Sequence, residues 1–194
     1  MRPTVTALIT TLIALSGTLV SAAPLPVPAL TGRVNDTASV LTTEERQHLT
    51  QLLRGYETET AHQLAVLTVP SLAGEAIEDF SLRVVNTWKL GSKKYNDGIL
   101  VTLAMQERSV RIEVGTGMER YISNAMAQAI VDEQMIPEFR QGHFAAGIEQ
   151  GVMALMKAAR RYKVPIRHLS PPTHQTTQVP APGAPHGPMG RLES

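Results

Sequence analysis

YNDGILVTLAMQERSVRIEVGTGMERYI, residues 95–122, holds two strand-like runs with a short polar turn between them. Gly98 to Met105 is almost wholly apolar, the pattern of a central strand covered on both faces. SVRIEV at 109–114 alternates instead, with Val110, Ile112 and Val114 on one side. Gln106, Glu107 and Arg108 alone connect the runs, too few for a parallel crossover, so the pair is an antiparallel hairpin. Asp97 therefore enters the first strand rather than making the turn, and the corner Gly115-Thr116-Gly117-Met118-Glu119 leaves the second strand at the same end.

Helical patterns flank the hairpin. Thr42 and Glu45 form a capping-box pair ahead of Leu49, Leu52, Leu53 and Tyr56, which predicts a helix over 43–60. QLAVLTV at 63–69 reads as a buried strand, and Ile77, Phe80, Val84 and Trp88 share one face of a second helix closing at Gly91. Ser123 caps a third helix, ending near Pro137, and a last helix covers 144–162. Helices on both sides of a small mixed sheet give the expected fold class, a three-layer α/β/α sandwich of Rossmann-like type.

The ends of the chain differ from this core. Residues 1–22 run from Arg2 through an acid-free apolar stretch to Val20-Ser21-Ala22, the layout of a cleavable signal peptide, with a retained anchor as the alternative. An extracytoplasmic location, periplasmic or secreted, follows, with no transmembrane segment after cleavage. Residues 23–30 read as a Pro-rich linker, 31–163 as the compact domain, and 164–194 as a disordered Pro-rich tail. The chain has 194 residues and no cysteine, so neither disulfides nor thiol chemistry contribute. Its formal charge of +1 becomes 0 when Arg2 is removed, which argues against nucleic acid as a partner.

Most catalytic signatures are missing. No G-x-S-x-G, H-E-x-x-H or Walker A run occurs. Gly115-Thr116-Gly117 lacks the third glycine of a dinucleotide loop, since position 120 is Arg. The six histidines show no metal spacing. Asp36, ahead of the first helix, and Asp97, ahead of the central strand, fall in loops, where hard cations find oxygen ligands. Each also has a purely structural reading, as an Asx-turn or helix-entry cap for Asp36 and as turn chemistry in Asn-Asp-Gly for Asp97.

VNDTASVLTTEER at 34–46, QLAVLTVPSLAGEAIEDF at 63–80, the 95–119 segment and IPEFRQGHFAAGI at 136–148 together resemble the TPM domain. That family includes a plant thylakoid-lumen protein of photosystem II repair and many bacterial envelope proteins. The resemblance implies an α/β/α sandwich, an acidic loop cluster holding a divalent cation (calcium, with magnesium as the alternative), and a phosphatase activity attributed to some members. Carried over by position, the implied metal ligands are Asp36, Asp97, Asn96 and Glu119, with Glu113 contributing only if the hairpin end turns toward them. His143 stands where the family usually has an acid or amide.

Two functions compete on this basis. One is an exported accessory domain for assembly or repair of an envelope or membrane complex, its acidic loops ordered by the cation. The other is a metal-dependent phosphomonoester hydrolase, with Lys93 and Lys94 beside Asn96-Asp97 as phosphate contacts; no nucleophile with an adjacent base accompanies them, so no catalytic residue is assigned.

Overall fold

The computed structural model describes residues 24–161; the expected signal peptide and Pro-rich tail lie outside the described residues. The elements run β1 (Val34–Asp36), α1 (Thr43–Thr60), β2 (Gln63–Val69), α2 (Ile77–Trp88), β3 (Gly98–Ala104), β4 (Ser109–Val114), α3 (Asn124–Ile130), a π-helical turn (Val131–Met135), α4 (Ile136–Arg140) and α5 (Phe144–Ala159).

The sheet has the order β1-β2-β3-β4. β1, β2 and β3 are parallel, and β4 closes the hairpin antiparallel to β3, so the sheet is mixed. Alternation along the strands sorts their side chains onto two cores. Leu64, Val66, Ile99, Val101 and Leu103 face α1, α3 and α5, where Leu49, Leu53, Ile148 and Val152 meet them. Ala65, Leu67, Val69, Leu100 and Ala104 face α2 through Phe80, Val84 and Trp88. This is the three-layer arrangement that the sequence predicts.

α1 begins where its capping box stands: Glu45 N–H donates to Thr42 Oγ1 at 3.2 Å, and Thr42 N–H to Glu45 Oε2 at 2.8 Å. Three features depart from the sequence reading. β1 is a strand, although its residues Val-Asn-Asp give no strand signal. The third helix does not end at Pro137: a π-helical turn intervenes and the helix resumes, with Pro137 in the first turn of α4. The widened turn fits Met135 against α5, where a Cβ on Gly151 would come within 2.6 Å of its sulfur.

The third departure is the Pro-rich segment before β1, which is extended but fastened rather than free. Leu25 and Val27 pack on the α2 core. Trp88 Nε1–H donates to the Pro28 carbonyl at 2.7 Å, and the Arg83 guanidinium to that of Leu25 at 2.8 Å.

Candidate functional site

Strand direction separates the expected site residues. Asp36 ends β1 and is level with Thr68 on β2, which is level with Leu103 near the far end of β3. Asp97 precedes Gly98 at the start of β3. Six strand residues, 97 to 103, separate the two levels, about 20 Å at a rise of about 3.3 Å per residue. Asp36 therefore stands on one rim of the sheet, and Asp97, Asn96 and Glu119 on the other.

On the rim where β2 and β3 begin, Asp97 is only 1% exposed and His62 not at all. Asp97 Oδ2 lies 3.3 Å from His62 Nδ1, and Oδ1 accepts the Ser92 N–H at 2.7 Å. Burial, the largest influence on Asp97, raises its pKa, but the His62 and Ser92 hydrogen bonds outweigh it and leave the carboxyl below its ordinary range. The Tyr56 ring lies 6.2 Å from the His62 ring, and burial pushes its phenol up to about 12. Tyr56, His62 and Asp97 thus form a polar inclusion in the core.

The Gly115-Thr116-Gly117 corner closes this rim. Gly115 N–H donates to the Gly98 carbonyl at 2.8 Å and Gly117 N–H to that of Asn96 at 3.1 Å, so the two ends of the hairpin segment do lie together. A Cβ on Gly117 would fall 1.8 Å from the Tyr95 carbonyl oxygen, and one on Gly115 2.1 Å from that of Asn96. These glycines serve close backbone approach, not phosphate binding. Asn96 takes a left-handed conformation (φ 48°) and donates to Thr116 Oγ1 at 2.8 Å. Glu119 is exposed on the turn that follows, and Glu113 accepts from Arg111 Nε at 2.7 Å on its own strand. Lys94 lies over the Tyr95 ring at 5.1 Å. His143 pairs with Glu138 at 3.2 Å on the exposed corner between α4 and α5.

On the opposite rim, Asp36 ties down its own loop. Oδ1 accepts from Val40 N–H at 3.1 Å and from the Thr68 hydroxyl, and Oδ2 from Leu41 N–H at 3.0 Å. This is the loop-capping role that the sequence left open for it. Glu107, in the hairpin turn, clamps the same rim by accepting from Ser71 Oγ at 2.8 Å and Leu72 N–H at 2.9 Å. Sequence reasoning placed Glu107 only as a turn residue; its partners lie 35 and 36 positions away, and no local pattern announces them.

These donor sets do not fit one calcium shell. A hard cation collects six to eight oxygens, whereas the Asp36 and Asp97 oxygens face N–H and hydroxyl donors on rims about 20 Å apart, by the strand rise. Among the described residues no three His, Asp or Glu side chains gather closely enough to hold a metal ion.

What the Asp36 rim offers instead is space. A groove of about 650 Å3 lies between α1, β1 and the segment before β1, lined by Pro28, Thr31 and Gly32 of that segment and, among others, by Val34, Asp36, Arg46, Thr50, Gln51 and Arg54. That size is typical of ligand-binding clefts. Neither Arg46 nor Arg54 makes an ion pair among the described residues. Sequence reasoning did not single them out, because two arginines eight positions apart on an exposed helix face look like ordinary solvated charge.

The chain matches the family model of the TPM domain over residues 34–158. It is similar to the N-terminal domain of a Porphyromonas gingivalis protein (P. gingivalis) solved by NMR, with 34% identity and a TM-score of 0.63, covering 68% of this chain and 83% of that one. The BA42 protein of the psychrophile Bizionia argentinensis shares the fold at 21% identity and a TM-score of 0.56, over 63% of this chain and 84% of that one. The N-terminal domain of a Corynebacterium glutamicum protein does so at 12% identity and a TM-score of 0.53, over 71% and 87%. No curated protein matches the chain. No helix among the described residues is long and apolar enough to cross a membrane.

Proposed function

The chain belongs to the TPM domain family, and from that premise we propose that it is an exported accessory domain of the cell envelope, which binds a partner through the groove beside β1. The observation that carries this reading is the state of Asp36. It is the one acid of the expected site that lines the groove, and its two oxygens already accept three donors from its own loop and from Thr68. Three of the carboxylate's about four acceptor positions are thus taken by neighbours that fix its orientation, which suits a wall of the groove better than a general base or a principal metal ligand.

Metal-assisted phosphomonoester hydrolysis is the competing reading, favoured by Arg46 and Arg54 in the same groove, since guanidinium groups suit phosphate oxygens. Two measurements on one set of proteins separate them. Turnover of an aryl phosphate, with and without calcium or magnesium, should stay at background for the chain and for Asp36→Asn. A photo-reactive side chain at Gln51, in expressing cells, should give one discrete adduct that Arg46→Glu removes. Metal-dependent turnover abolished by Asp36→Asn would overturn the accessory reading.

A further inference from the structure

We infer that the groove takes an extended acidic peptide segment, which adds as a fifth strand to the open edge of β1 and places two carboxylates, four positions apart, against Arg46 and Arg54. This rests on the accessory-domain reading and names its ligand.

The first ground is the sheet edge. β1 is terminal in the order β1-β2-β3-β4. Toward β2, the Arg33 carbonyl accepts from Val66 N–H at 2.8 Å and Thr37 N–H donates to the Thr68 carbonyl at 3.1 Å. Backbone direction alternates along a strand, so Val34 and Asp36, between them, turn their amides and carbonyls outward into the groove that they line. An edge row with no backbone partner among the described residues is a template for an incoming strand.

The second ground is charge and spacing. α1 connects the parallel strands β1 and β2, so it runs back antiparallel to them, and its residues pass along the whole length of the groove. Arg46 and Arg54 both line it, eight residues apart on the helix, which is about 12 Å at about 1.5 Å per residue. In an extended chain that span corresponds to about four residues, at about 3.3 Å each. An even spacing points both side chains to the same side, here toward α1. Thr50 and Gln51, between the arginines, supply neutral hydrogen-bonding groups. The Asp36 carboxylate does not oppose an acidic ligand directly, because its oxygens face Val40, Leu41 and Thr68 and only its backbone faces the edge.

The test is a fluorescence-anisotropy titration of the purified chain with a short β-branched peptide carrying glutamates at positions i and i+4. Binding is expected at least about tenfold tighter than for the same peptide with lysines, a difference of about 1.4 kcal/mol, and weaker with added salt. The pair Arg46→Glu and Arg54→Glu should invert the preference in favour of the lysine peptide, which a merely unfolded variant would not do. N-methylation of the alternate peptide amides that face β1 should abolish binding, whereas N-methylation of the other set should not. Equal affinity for the glutamate and lysine peptides, or full affinity after methylation of the amides that face β1, would overturn the inference. So would a concentration-dependent dimer that excludes the peptide, or Arg46-dependent binding of inorganic phosphate by a chain that ignores the peptide. If the peptide fails while the adduct from Gln51 persists, this inference falls and the accessory reading stands; Asp36-dependent phosphate turnover removes both.

Discussion

The two rims of the sheet hold the same kind of residue in opposite circumstances. Asp97, where the parallel strands begin, is sealed under loops against a buried histidine; Asp36, where they end, stands at the mouth of an open groove. The glycine corner at 115–117 explains why one rim is closed, since its backbone lies directly on residues 95 and 96. An acid in a loop is thus not evidence of a site by itself. What matters is whether its oxygens are already claimed, and whether the space beside it is filled by backbone or left open.

The sharpest break in this contrast is predicted at the closed rim. Asp97→Ala leaves His62 facing an emptied partner position in the core, and should cost about 3–5 kcal/mol, read as a fall in the urea midpoint. Gly117→Ala drives a Cβ into the Tyr95 carbonyl and should cost about 3 kcal/mol, with the corner displaced in amide exchange. At the open rim the effects shrink. Asp36→Asn keeps one acceptor oxygen in place of two and should cost about 1–2 kcal/mol, with faster exchange confined to the amides of Val40 and Leu41. Arg46→Glu should leave stability within about 0.5 kcal/mol, because its guanidinium belongs to the groove rather than to the fold.

Acid should sharpen the same contrast. A depressed folded pKa means that Asp97 stabilises the chain fully above its ordinary value of 3.8, and that this contribution fades as the pH falls below it. Asp97→Asn should flatten the stability curve in that window relative to the parent chain. The smallest expected quantity is the coupling between rims. Asp36→Asn and Asp97→Asn should add within about 0.5 kcal/mol, with or without calcium. Strong coupling that appears only with calcium would restore the shared cation shell and erase the contrast.

Most of the fold was legible because its patterns are local and long. β2 and β3 are continuous apolar runs, and the capping box at Thr42 marks the start of α1. β1 was not legible: it is three residues long and its central residue, Asn35, is buried through hydrogen bonds to Thr31 and Gly32 rather than through apolar packing. That omission carried over to the site. Without β1 as a parallel strand, its last residue and the residue before β3 both looked like loop acids at one sheet edge, whereas parallel strands send them to opposite rims. The juxtaposition of Asn96 with the glycine corner was legible, because an antiparallel hairpin brings its own ends together. The His62–Asp97 pair was not, since nothing local links residues 35 positions apart.

The Pro-rich strap on α2 also gives the chain a built-in optical probe. Trp88 is its only tryptophan, 9% exposed, and the indole N–H is bonded to the Pro28 carbonyl. Release of the strap would hand that N–H to water and red-shift the emission while the sheet stays intact, so a single fluorophore can distinguish local detachment of the N-terminal segment from global unfolding without any label.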